Sequence, residues 1–131
     1  MMSARGSDTA ATVLLMESQP VIRMAVYAVL NGAGFNVIAT ESPHEAWTTL
    51  EERSDVRVLL ADLDVPDVTD GLELAHKVHD RWPFLGLVII SHHIRHLRPS
   101  EVPGDGCFLP RPLPGETLLQ EVAMAADRMA A

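Results

Sequence analysis

Two hydrophobic periods alternate along the chain. Thr12 to Glu17 (TVLLME) is a short apolar run, as expected of a strand buried on both faces. Pro20 sits where a helix can begin, because its missing N–H costs nothing in the first turn. Ile22, Val26, Val29 and Leu30 fall on one face of that helix, and Gly32 and Gly34 end it. Phe35 to Ala39 (FNVIA) reads as a second strand. Ser42-Pro43 opens a second helix with Ala46, Trp47 and Leu50 inward. Val56 to Ala61 (VRVLLA) is a third strand that runs directly into Asp62. The carboxylate-rich segment Asp62 to Asp70 (DLDVPDVTD) reads as a loop. A helix follows from Gly71 to Arg81, with Leu74, Ala75 and Val78 on one side, and Pro83 stops it. Leu87 to Ile90 (LVII) is a fourth strand ending at Ser91, and Cys107 to Leu109 a fifth. A last helix spans Gly115 to Met129, with Leu118, Leu119, Val122 and Ala126 inward.

The rhythm breaks between Ser91 and Cys107. A helix is due there, but Pro99, Pro103, Gly104 and Gly106 punctuate it, so a short or irregular fourth helix is expected. Residues 1–10 are small and polar and predict a loose tail, leaving 11–131 as a single domain. Strands alternating with helices imply an α/β fold: a doubly wound five-stranded parallel sheet covered on both faces. In such folds ligands bind at the carboxyl ends of the strands.

Composition narrows the function classes. Hydrophobic residues make up 47% of the 131 and charged residues 21%, a globular balance. Asp and Glu outnumber Lys and Arg by 18 to 10, and the net charge of −8 argues against a bulk electrostatic grip on nucleic acid. One cysteine, Cys107, excludes an internal disulfide and a Cys-rich zinc site. The apolar runs are too short to span a membrane, and the N-terminus lacks the pattern of a signal peptide. The expected location is cytoplasmic.

The strand ends carry the chemistry. Glu17-Ser18 closes the first strand, Asp62 the third and Ser91 the fourth, and Pro110-Arg111-Pro112 follows the fifth. If the sheet forms, two carboxylates, a hydroxyl and a guanidinium meet at one edge. Mg²⁺ takes oxygen ligands and one or two carboxylates. Hydroxyl and cationic groups bind phosphoryl oxygens. A carboxylate is also a nucleophile able to form an acyl phosphate.

These residues bring the chain to a family. From about Val13 to Val122 it resembles the receiver domains of bacterial response regulators. The resemblance rests on VLLMESQP at 13–20, LLADLDVP at 59–66, DGLELA at 70–75, VIIS at 88–91 and FLPRP at 108–112. Each segment is weak alone; their order and spacing together are specific. The resemblance implies a flavodoxin-like, receiver-type fold and a phosphoaspartate switch charged by a histidine kinase or histidine phosphotransfer protein. It implies Asp62 as phosphoacceptor and Glu17, Asp62 and the backbone carbonyl of Asp64 as Mg²⁺ ligands. Ser91, Arg111 and Phe108 become the phosphoryl-contact and switch residues, and Pro112 a candidate cis-proline. The added charge, about −1.5 to −2, would act on a surface near the fourth helix and fifth strand. The output is a downstream protein partner, with homodimer formation among its forms, and neither nucleic acid nor membrane is expected. The length leaves no room for a DNA-binding output domain, so a stand-alone receiver rather than an enzyme is expected.

Two departures from the family pattern bear on that expectation. The family carries an acidic pair after the first strand, its second acid a direct Mg²⁺ ligand; here Ser18 holds that place. Disturbing even an outer partner of a metal ligand costs about 10–100-fold. Arg111 replaces a Lys, and a planar fork is not a compact ammonium. The alternative is therefore a pseudo-receiver: an interaction module that is not efficiently phosphorylated. A second class, a small metal-dependent phosphohydrolase with Asp62 as nucleophile, needs an acid/base such as the Asp64 side chain.

Taken singly, each residue has a plainer role. Asp62 caps a helix or sits solvated in a loop; Glu17 is a solvated strand end; Ser18 caps the helix starting at Pro20. Ser91 bonds backbone at a strand end, and Arg111 pairs with surface carboxylates. Asp67 and Asp70 read as turn and cap residues. His92, His93 and His96 read as loop histidines rather than a metal site. Tyr27, Trp47 and Trp82 read as packing groups. Met124 and Met129 read as core with a soft surface.

Overall fold

A computed structural model describes residues 11–62, 68–91, 102–103, 106–110 and 114–130, without the side chains of 68–70 and 128–130. The elements are β1 (Thr12–Met16), α1 (Pro20–Gly32), β2 (Asn36–Thr40), α2 (Pro43–Glu52), β3 (Val56–Asp62), α3 (Val68–Arg81), β4 (Gly86–Ser91), β5 (Cys107–Pro110) and α4 (Gly115–Ala130). The strands form one parallel sheet in the order β2-β1-β3-β4-β5. The doubly wound architecture expected from the sequence is therefore present. The tail at 1–10 and the irregular fourth helix expected between Ser91 and Cys107 fall outside the described residues, apart from Val102, Pro103 and Gly106.

Strand alternation splits the core between the two faces of the sheet. Val13, Leu15, Val58, Leu60, Val88 and Ile90 pack against Val26 and Leu30 of α1 and Leu118, Val122, Ala125 and Ala126 of α4. Leu14, Met16, Leu59, Ala61 and Leu87 turn the other way, onto Ala46 and Leu50 of α2 and Leu74 and Val78 of α3. Burial on both sides explains why these strands read as unbroken apolar runs. Each fully buried Leu or Ile contributes about 1.5–3 kcal/mol. Trp47 and Trp82 close the lower margin of the second face edge to face, with centroids 4.8 Å apart.

Several boundaries depart from the sequence pattern. β2 begins at Asn36, not Phe35. Phe35 instead completes the stop signal of α1: its N–H donates to Leu30 O, the Gly34 N–H donates to Asn31 O, and Gly34 takes φ +98°. That is a Schellman closure, and Phe35 packs onto the cluster that holds Leu30. α3 begins at Val68, three residues before the expected Gly71: Asp70 and Gly71, residues typical of turns, lie inside its first turn instead of before it. Val29, expected inward, is exposed. It lies on the flank of α1 where α4 begins, close to Gly115.

Candidate functional site

The register of the sheet gathers the site. Met16 pairs with Ala61, so Glu17 leaves β1 at the level where Asp62 ends β3. Asp62 pairs with Ile90, and Ser91 is the next residue on β4. Ser91 pairs with Pro110, the residue before Arg111. Adjacent strand backbones run about 4.7–4.9 Å apart, so Glu17, Asp62 and Ser91 occupy neighbouring places on one edge. All three are buried: Glu17 and Ser91 fully, Asp62 to 2% exposure. Charged groups rarely sit so deep unless something holds them.

Local structure holds Glu17 from several sides. Its N–H donates to Thr40 O at 3.0 Å, continuing the β1–β2 ladder one step past the strand. Its Oε2 accepts from the Gln19 N–H at 3.1 Å. Thr40 Oγ1 donates to Leu15 O at 2.8 Å and fixes the end of β2. Arg23 Nη1 donates to the Glu17 carbonyl at 2.9 Å and to the Ser18 carbonyl at 3.4 Å.

Ser18 is exposed and does not cap α1. The N-cap position is Gln19, and no side chain makes a cap hydrogen bond there. Pro20 at the first helical position sets the start of the helix one residue later than a Ser18 cap requires. Phe108, on β5, is half-buried and packs against Ala75, Ile89 and Val102. Asp64, Asp67, Arg111, Pro112, His92, His93 and His96 lie outside the described residues, and so does the side chain of Asp70.

Two contributors escaped the sequence reading. Thr40 carried no signal beyond its place at a strand end. Arg23 did carry one: it is the only charged residue in an otherwise apolar α1, one turn after the acidic strand end. The cleft of about 640 Å³ lined by Leu50, Arg53, Val56, Arg81, Trp82 and Phe84 belongs to the opposite edge of the sheet, where β3 begins. None of the predicted site residues lines it.

The donor set suits a hard cation. Among the described residues no cluster of three or more His, Cys, Asp or Glu is poised for a metal. The buried pair Glu17 and Asp62 matches the one or two carboxylates that Mg²⁺ takes while keeping several waters. Among the described residues no helix is long and apolar enough to cross a membrane.

Sheet order, two-faced helix packing and acidic groups at the carboxyl edge define a flavodoxin-like fold of the receiver type. The chain belongs to the response regulator receiver domain family, whose model matches residues 13–122. A response regulator receiver protein of Sinorhizobium medicae superposes with a TM-score of 0.84 at 24% identity, covering 94% of this chain and 99% of that one. Among curated proteins, the sensor protein TorS of Escherichia coli is 29% identical over 113 residues, 85% of this chain and 12% of its own length. The C4-dicarboxylate transport transcriptional regulatory protein DctD of Pseudomonas aeruginosa is 27% identical over 128 residues, 92% of this chain and 26% of its own. The chain thus spans a small part of these longer relatives. It is a receiver domain of the kind found in response regulators and sensor kinases, and its setting is two-component signalling.

Proposed function

We propose that Asp62 is the phosphoacceptor of a phosphorelay, charged by the phosphohistidine of a histidine kinase or phosphotransfer protein. A carboxylate oxygen of Asp62 attacks phosphorus, the P–O bond forms as the P–N bond breaks, and the imidazole leaves with the electron pair. The observation that carries this reading is the burial of Asp62 at the end of β3, with Glu17 and Ser91 on the two adjacent strands. Receiver domains generally bind Mg²⁺ at this acidic pocket, and Glu17 and Asp62 are the residues that would hold it. Bound there, Mg²⁺ supplies charge neutralisation for the transferring phosphoryl group. Glu17 holds its carboxylate in place through Gln19. The Ser91 hydroxyl is the group positioned to receive a phosphoryl oxygen as a hydrogen-bond acceptor.

Supporting the choice of donor, Val21 and Met24 are 79% and 69% exposed on the first turns of α1, directly after the Glu17–Ser18 loop. A phosphohistidine can reach Asp62 only if its protein covers this rim. Apolar groups there give that protein something to bury. The output is a change of protein contacts, since the new charge on Asp62 biases a two-state surface.

Ser18 favours one alternative, the interaction module without efficient phosphorylation. One experiment decides between them: incubation with acetyl phosphate and with a phosphorylated histidine donor at millimolar Mg²⁺, with Asp62→Asn alongside. Label on the wild type and none on Asp62→Asn supports the proposal. No label from any donor rejects it in favour of the module.

A further inference from the structure

We infer that Arg23 is the positioning residue of the carboxylate site: its guanidinium locks the loop after β1 and thereby aims the Glu17 carboxylate. The functional half of this inference rests on the phosphoacceptor reading; the structural half stands without it.

β1 ends at Met16, so the carbonyls of Glu17 and Ser18 lie beyond its strand pairing. Backbone oxygens in such a place need a donor. Arg23 supplies it, with Nη1 2.9 Å from the Glu17 oxygen and 3.4 Å from the Ser18 oxygen. The second terminal nitrogen, Nη2, lies 3.8 Å from Glu41 Oε2, but that carboxylate is 64% exposed and the pair is loose. The Arg23 side chain is only 20% exposed, low for the residue type. It lies over the loop instead of reaching into water.

The consequence passes to Glu17 in two short steps. Holding both carbonyls sets the two peptide planes that follow Glu17. Those planes orient the Gln19 N–H, which donates to Glu17 Oε2 at 3.1 Å. From the other side the Glu17 N–H is tied to Thr40 O. With the β2 side fixed by the sheet, Arg23 is the side chain that decides whether the α1 side is fixed too. Both contacts come from one terminal nitrogen, Nη1, held by the planar guanidinium; a lysine ammonium is a point charge on a freer stem. The Nη1 hydrogen bonds of Arg23 go to main-chain oxygens, so the role inferred for it is geometric.

The test compares wild type, Arg23→Ala, Arg23→Lys and Glu41→Gln in the full chain. Amide hydrogen exchange is read at Gln19 and Glu17, with Leu60 in the core as reference, and Mg²⁺ binding is read by calorimetry. In Arg23→Ala the Gln19 amide should exchange about tenfold faster with Leu60 unchanged, and the Mg²⁺ dissociation constant should rise about tenfold, as for loss of a partner that orients a ligand. Arg23→Lys should fall between, and Glu41→Gln should match wild type. Unchanged exchange at Gln19 overturns the inference. So does an equal rise at Leu60, which would make Arg23 a general stabiliser. If the wild type itself neither binds Mg²⁺ nor takes label, the phosphoacceptor reading fails, and the exchange measurement still decides the role of Arg23.

Discussion

Asp62 is the register partner of Ile90, which sets Ser91 one residue beyond the carboxylate on the neighbouring strand. On the proposed reading the two side chains divide the work, Asp62 carrying the phosphoryl group and Ser91 responding to it. Asp62→Asn should lower phosphoryl incorporation to background. Ser91→Ala should still accept label, because the nucleophile is intact. The labelled Ser91→Ala protein should lose most of the chemical-shift change that label produces at Phe108, read by two-dimensional NMR. Its stability should drop by about 1 kcal/mol, the usual worth of a buried hydrogen bond.

Ser18 is exposed beside two buried carboxylates. Ser18→Asp adds a third negative charge at the mouth of the site. Without metal the like charges should lower the melting temperature. Mg²⁺ should reverse the loss, since a cation that binds only the folded state stabilises it. Affinity for Mg²⁺ should tighten by about tenfold or more, measured by calorimetry. Equal affinity in the two proteins would mean that Ser18 does not weaken Mg²⁺ binding.

The sheet and its helices were legible because apolar period and turn residues agree at every element that carries a face. The boundaries that slipped lack such agreement. Phe35 is apolar enough for a strand, yet a Schellman closure captures it. Val68 opens a helix whose first turn holds Asp70 and Gly71, residues typical of turns. Val29 shares the apolar stripe of α1, but the sheet behind that helix buries only Val26 and Leu30 fully. At the site, Glu17, Asp62 and Ser91 were legible as strand ends, since parallel pairing brings strand ends together. Their burial was not, because it depends on tertiary packing around the strand ends. Thr40 left no mark because its partner is a main-chain oxygen, and Arg23, though marked as the lone charge of α1, was not legible in its partners, which are main-chain oxygens too.

Arg53 and Asp55 give the fold its clearest titration. Nε donates to Oδ1 at 3.0 Å and Nη2 to Oδ2 at 2.6 Å, a two-pronged contact. These hydrogen bonds hold the Asp55 carboxyl below the usual carboxylate range, against a small upward push from desolvation. A depressed folded pKa stabilises the fold above the unfolded value, about 3.9, and the gain is lost as pH falls through the folded value. Both side chains are about half-exposed, so the gain is small. An NMR titration of the Asp55 carboxyl should show a midpoint below the usual range. Arg53→Ala should return it to that range.

Gly86 and Gly32 should respond to the same substitution with opposite signs. Gly86 opens β4 directly beneath α4, and a Cβ there would stand 3.0 Å from both the Cβ and the carbonyl oxygen of Ala125. Backbone on the far side cannot swing away as a flexible side chain does, so α4 must lift from the sheet. Overpacking of this kind costs about 1–3 kcal/mol. Gly86→Ala should therefore lower the urea midpoint with little change in m. Gly32, the last residue of α1, has nothing within 4 Å of a built Cβ and no positive φ. Gly32→Ala keeps the helix and narrows the unfolded ensemble, for a gain of about 0.4–1 kcal/mol. A loss at Gly32, or no loss at Gly86, would mean that α4 and α1 do not pack on the sheet as described.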